Sequence, residues 1–179
     1  MAPFWVKDPQ RGVQSRCHAQ TGRMRDDAID LVAWVRDRLL RLTTGRVLDV
    51  GCGEGTFLAV GAVGLDPDVA RLHAARMRSP LVVAGDAKAL PFADDTFDTV
   101  YAHRMLNDTG DVDRALREVV RVLRPTGSLL VFTRARHGEG DRLDRWNGAE
   151  RLSRHFRTVS AEVPAGDDRA ALFIAERRR

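Results

Sequence analysis

Arg46-Val47-Leu48-Asp49-Val50-Gly51-Cys52-Gly53-Glu54-Gly55 decides how this chain is read. Val47, Leu48 and Val50 form a short apolar run, the mark of a buried strand. The run breaks into Gly51, Gly53 and Gly55, and Thr56-Phe57-Leu58-Ala59 can then open a helix. A strand, a glycine turn and a helix start make a site for a nucleotide-like ligand, because glycine lets the ligand approach the backbone closely. Asp49 sits at the strand end. A carboxylate there repels a pyrophosphate and suits a ligand carrying positive charge, which tilts the reading from a dinucleotide toward S-adenosylmethionine (SAM).

Outward from this stretch, strands and helices alternate. Residues 26–42 place Ala28, Val32, Val35, Leu39 and Leu42 at helical spacing, with Asp26 and Asp27 in the first turn, where carboxylates favour the helix dipole. A very short helix is expected from Glu54 to about Val60, then a second strand at Ala62–Leu65. Asp66-Pro67 is expected to open a helix running through Met77, as N-cap and first helical residue. Leu81–Val83 and Phe97–Ala102 read as the third and fourth strands. Asp111 caps a helix whose stripe is Val112, Leu116, Val119, Val120 and Leu123. Arg124-Pro125-Thr126-Gly127 stops that helix, and Ser128–Thr133 is the fifth strand. Such alternation implies a parallel sheet with helices on both faces.

The last part differs. A helix is expected within 146–156, then strands at Val159–Val163 and Ala170–Ala175 joined by Pro164-Ala165-Gly166-Asp167-Asp168. So short a connection favours an antiparallel hairpin. Residues 1–25 show no regular pattern.

The 179 residues suit one domain, 1–179, with a core from 46 to 179. No apolar run approaches the roughly 20 residues of a membrane span, and the N-terminus has no apolar signal-like segment. Cys17 and Cys52 are too few for a disulfide framework, so the cytoplasm is the expected setting. The net charge is +4, but the only lysines are Lys7 and Lys88, and the arginines are spread among acidic residues. That spread argues against a nucleic-acid face.

Several motifs, in order, carry a resemblance. Val47–Gly55 matches a glycine-rich motif, and Gly64-Leu65-Asp66-Pro67 an acidic strand end. Gly85-Asp86-Ala87 with Leu90-Pro91-Phe92 and Phe97-Asp98 matches an adenine-facing segment. Ala115-Leu116-Arg117-Glu118 with Arg121-Val122-Leu123-Arg124-Pro125 matches the helix before the fifth strand. From about Arg46 to Phe132 the chain resembles the class I SAM-dependent methyltransferases of the small type 11 family. The resemblance implies a seven-stranded Rossmann-like α/β sheet in order 3-2-1-4-5-7-6, with the last strand antiparallel.

It also implies site roles. Asp49, Gly51, Cys52 and Gly53 would hold the methionine part of SAM. Asp66, with Pro67, would accept the ribose hydroxyls, although Asp66 also reads as a plain N-cap. Gly85, Asp86 and Ala87 would read the adenine, and His103 and Arg104 would line the pocket near the methyl group. No metal site is expected.

The activity implied is methyl transfer to an O, N, S or C atom of a small molecule by in-line displacement, leaving S-adenosylhomocysteine (SAH). Candidate bases are His103, His18, Glu54 and His137, and none stands out. Many family members have a histidine where this chain has Asn107, so no catalytic residue is carried over. The segment with Phe4, Trp5, Arg16, Cys17 and His18 is the candidate lid. Two rivals stay open: a partner-binding protein that keeps only the fold or the cofactor site, and a nicotinamide-dependent oxidoreductase. The latter's G-x-G-x-x-G spacing is missed, because Gly55 comes one residue early.

Overall fold

The computed structural model of the chain describes residues 5–8, 12–15 and 107 by their backbone, and residues 30–106, save 104, 108–134 and 143–177 in full. In chain order the elements are β1 Trp5–Asp8, β2 Gly12–Ser15, α1 Leu31–Leu42, β3 Val47–Val50, β4 Val63–Asp66, α2 Val69–Arg76 and β5 Val82–Ala84. There follow β6 Phe97–His103, a 3₁₀ turn Met105–Asp108, α3 Val112–Val122, β7 Leu123–Arg134, α4 Gly148–Ser153, β8 Phe156–Glu162 and β9 Ala170–Arg177.

The strands form one sheet in the order β2-β1-β8-β9-β7-β6-β3-β4-β5. Pairs β5–β4, β4–β3, β3–β6 and β6–β7 are parallel, whereas β9 runs antiparallel to both β7 and β8. Read from β5 to β8, this is the expected 3-2-1-4-5-7-6. The hairpin β1–β2 lies beyond it, with Lys7 opposite Val159 at the β8 edge. These two strands fall in the segment that had shown no regular pattern.

Alternation along the central strands sends side chains to two faces. Leu129 and Val131 of β7 join Val100 and Ala102 of β6 against Leu116, Val119 and Val122 of α3, all buried. Their neighbours Leu130, Phe132 and Tyr101 face Val35 and Leu39 of α1. Helix α3 buries Val112, Ala115, Leu116, Val119 and Val122 as a continuous stripe, and Asp111 caps it as expected by accepting Arg114 N–H at 2.9 Å.

Four expectations need correction. The stretch from Glu54 to Val60 is not a helix but a series of turns. Residues 51–62 are about the dozen that a parallel crossover needs, and Gly55 (φ +78°) and Gly61 (φ +82°) bend the chain back instead. Helix α2 starts at Val69 with Asp68 as its N-cap, not at Pro67 with Asp66, because the Asp66 carboxylate is engaged elsewhere. Helix α1 starts at Leu31, capped by Asp30 Oδ1 at 3.0 Å from Val32 N and 3.1 Å from Ala33 N. Asp26, Asp27 and Ala28 lie outside the described residues. Strand β7 begins at Leu123 rather than Ser128: Leu123 pairs with Phe97, and after an irregularity the ladder resumes at Ser128 opposite Thr99.

Candidate active site

The carboxyl ends of the parallel strands β3, β4, β5 and β6 meet at one side of the sheet, the usual place for a ligand in an α/β sheet. An open cleft of about 1050 Å³ lies there. It is lined by Asp49 of β3 with Gly51, Cys52 and Gly53 after it, by Asp66 at the end of β4 with Pro67, by Asp86 and Ala87 after β5, and by His103 at the end of β6. Of the eleven expected site residues, nine thus share one cavity, and Arg104 lies outside the described residues. Gly85 is the exception: it sits behind the wall, where a Cβ would press on Leu65 Cδ1 at 2.9 Å.

Asp49 is the electrostatic centre. Its side chain is 3 % exposed and its Oδ1 has no hydrogen-bond partner among the described residues. Burial, and secondarily the nearby Asp66 carboxylate, pushes the Asp49 carboxyl up to about 7. A buried carboxylate left this way is costly, and a cationic group in the cleft would relieve it. Tyr101, opposite Asp49 on β6, likewise has a buried hydroxyl without a partner. Burial and Asp49 hold that phenol above its ordinary range.

Asp66 is built differently. Its Oδ2 accepts Gly53 N–H at 2.9 Å and its Oδ1 accepts Asp68 N–H at 2.9 Å. One carboxylate therefore fastens the glycine turn to the start of α2, and each oxygen keeps a lone pair toward the cleft. Gly51 N and Cys52 N donate to Leu65 O at 2.6 and 3.0 Å, which closes the turn over β4. Cys52 is buried, and burial with Asp49 and Asp66 pushes its thiol up to about 12, so it is an inert packing group.

Two glycines in the turn have distinct causes. Gly51 (φ +75°) lies against Met105, where a Cβ would collide with the Met105 side chain. Gly53 (φ +54°) would place a Cβ in open space, so only its backbone angle favours glycine.

The far wall is aromatic. His103 stacks on Phe132 at 5.1 Å with the planes 3° apart, and Phe57 lies 4.4 Å from His103, tilted by 37°. Phe57, Met105, Phe132, Lys88 and the Leu31–Val32 start of α1 also line the cleft and were missed in the sequence. Their only sequence signal was adjacency to a motif, Phe57 to the glycine turn and Lys88 to Asp86-Ala87. Of the candidate bases, His103 and Glu54 line the cleft. His18 and His137 lie outside the described residues, as do Arg104, Phe4, Arg16 and Cys17. No described helix is long and apolar enough to cross a membrane.

A family model described as a methyltransferase domain matches residues 48–131. A demethylmenaquinone methyltransferase of Renibacterium salmoninarum is 37% identical over 120 residues, 63% of this chain and 48% of that protein. One of Mycobacterium marinum is 39% identical over 111 residues, 54% of this chain and 48% of that protein. The chain thus spans about half the length of the curated relatives it matches. Among solved structures, a SAM-dependent methyltransferase of Thermotoga maritima is similar with TM-score 0.69 over 83% of this chain and 90% of that one. At 17% identity that likeness speaks to the fold alone. The [4+2]-cyclase SpnF is 36% identical with TM-score 0.52 over 63% of this chain and 47% of that one. Residues 48–131, just under half of the chain, thus match a methyltransferase-domain family, and the Rossmann-like sheet has the fold seen in a SAM-dependent methyltransferase of known structure.

Proposed function

We propose that this chain binds SAM in the cleft and transfers its methyl group to a small-molecule acceptor by in-line displacement, releasing SAH. The observation that carries the reading is the buried Asp49 Oδ1, without a partner among the described residues, in the cleft that Gly53 and Asp66 also line. This donor set fits a ligand that brings a cation next to hydrogen-bonding groups. When bound, SAM supplies an electrophilic sulfonium methyl. Asp49 accepts the ammonium of its amino-acid part, and Asp66 takes the ribose hydroxyls with its remaining lone pairs. Asp86 and the Ala87 backbone face the adenine edge. Phe57, His103 and Phe132 wall off the side where the acceptor enters. Their rings exclude water and hold a flat or apolar acceptor in line, and such positioning is worth roughly 7–11 kcal/mol of barrier.

The names of the relatives make a demethylmenaquinone-type acceptor the first to try, a ring that a wall of aromatic side chains suits. A second reading has one specific observation behind it. The similar SpnF is a cyclase, so this sheet and turn serve chemistry other than methyl transfer. Stoichiometric conversion of SAM to SAH in the presence of acceptor separates the two, since a cyclisation consumes none.

Calorimetric titration with SAH, with NADH in parallel, tests the cofactor. SAH is expected to bind in the micromolar range and NADH not at all; NADH binding alone would overturn the assignment. The same titration carries a pH signature. An ammonium needs ionised Asp49, whose carboxyl keeps its proton up to about pH 7 in the empty cleft. SAH affinity should therefore rise toward about tenfold per pH unit as pH climbs to 7, then level off. A flat profile between pH 5.5 and 8 would remove Asp49 from ammonium binding.

The segment with Phe4, Trp5, Arg16, Cys17 and His18 is kept as the proposed lid. Deleting residues 1–20 should weaken acceptor turnover while leaving SAH binding nearly intact. Loss of folding instead would mean that the segment belongs to the core.

A further inference from the structure

Arg114, Glu118 and Arg121 recur on α3 at i, i+4 and i+7, so they share one side of the helix. That side meets the irregular segment after β5, and all three side chains bond its backbone. Arg114 Nε donates to Lys88 O at 3.1 Å. Arg121 Nη2 donates to Leu90 O at 2.9 Å and Nη1 to Phe92 O at 2.7 Å, with Asp94 Oδ1 at 2.8 Å from the same nitrogen. Glu118 Oε2 accepts Leu90 N–H at 2.8 Å. Glu118 and Arg121 are themselves joined twice, at 2.9 Å (Nε to Oε1) and 2.7 Å (Nη2 to Oε2). Alternate carbonyls 88, 90 and 92 thus point at the helix, and Leu90 and Ala87 pack into the core beneath.

A segment without a strand or helix ordinarily moves freely on the surface. This one is fixed at every second residue by charge-assisted bonds, the stronger kind. The fixed stretch starts where Asp86 and Ala87 enter the cleft. There Asp86 Oδ1 accepts Lys88 N–H at 2.8 Å, and Ala89 N donates to Asp86 O at 3.0 Å.

We propose that Arg114, Glu118 and Arg121 are positioning residues for base recognition: by fixing the Lys88–Phe92 backbone from α3 they hold Asp86 and Ala87 where a purine amino group is accepted. The inference rests on the SAM reading above. None of the three lines the cleft, so each acts through the segment and not on the ligand.

Titration with SAH and with its inosine counterpart, in which a carbonyl replaces the amino group, tests it. The wild-type protein is expected to prefer SAH by at least about tenfold. Arg121→Lys, Glu118→Gln and Arg114→Ala should each weaken SAH, about tenfold for the first two, and leave the inosine ligand almost unchanged, so that the ratio falls toward one. Arg114→Ala removes a single surface contact and keeps the test open if the others fold poorly. Arg124→Lys, which weakens an ion pair with Asp98 (2.8 Å) outside the segment, is the control and should keep the wild-type ratio. A purely structural role would lower the melting temperature and weaken both ligands alike. Variants that keep the wild-type ratio overturn the proposal and leave the SAM reading standing. A wild-type protein that binds neither ligand overturns both.

Discussion

Asp49→Asn is expected to yield a protein that is more stable than the parent and no longer binds SAH. The carboxyl is held up to about 7 in the fold, against 3.8 as its ordinary value. The sign follows from proton counts. Between these two values the folded protein keeps a proton that the unfolded chain has lost, so stability falls as pH rises. Above pH 7 the full cost applies, about 4 kcal/mol at 1.36 kcal/mol per unit. Asparagine has nearly the same shape and no charge, so the variant should escape the cost and show little change in stability between pH 4 and 7. Thermal melts at pH 5 and pH 8 give the comparison: the gain should be roughly 3–6 °C at the first and roughly 8–17 °C at the second. SAH binding should weaken at least 100-fold, because the amide offers the ammonium no charge. An Asn variant less stable than the parent at pH 8 would mean that Asp49 has a stabilising partner, and the electrostatic account of the cleft would fail.

The second large effect is Gly51→Ala. The added methyl meets two obstacles. A left-handed backbone at φ +75° costs a residue with a side chain roughly 1–2 kcal/mol. The Met105 side chain occupies the space the methyl needs, and overpacking of this kind costs about 1–3 kcal/mol. A total loss of about 2–5 kcal/mol is expected in chemical denaturation, with SAH binding lost as the 3₁₀ turn is pushed off the glycine turn. Adding Met105→Ala should restore only the steric part. If Gly51→Ala alone stays within 0.5 kcal/mol of the parent, the close packing of the two turns is not real. Gly51 would be glycine for this reason even if the cleft held nothing, which its place in a ligand motif conceals.

What the sequence made legible is what short-range chemistry controls. The apolar run Val47–Val50 broken by glycines, the Asp111 cap and the Val112, Leu116 and Val119 part of the α3 stripe read correctly because neighbours along the chain determine them, whereas Leu123, expected in that stripe, begins β7. The sheet order followed from the resemblance, and the antiparallel end from the short loop 164–168. What it hid depends on distant partners. Thr56–Ala59 has helical propensity, yet the short crossover leaves no room to use it. Asp66 looks like an N-cap ahead of proline. Its carboxylate instead spans from Gly53 to Asp68, a contact invisible until β3 and β4 lie side by side. The aromatic wall has the same character, since Phe57, His103 and Phe132 come from three elements that share no motif.

The position of β9 has a consequence for synthesis. It is the last strand of the sheet to be made, yet it lies inside, between β7 and β8, with ladders to both. Until Ala170–Arg177 has left the ribosome, β7 presents an open edge and β8 with the hairpin beyond it has nothing to join. Buried Phe173 and Ala175 then complete the same cluster as Leu48 and Leu116. From the emergence of β7 until that of β9 the nascent chain therefore carries an unpaired, apolar edge, a state prone to association with other chains. Loss of β9 would split the sheet in two, with β8 and the hairpin parted from β7, instead of fraying its rim.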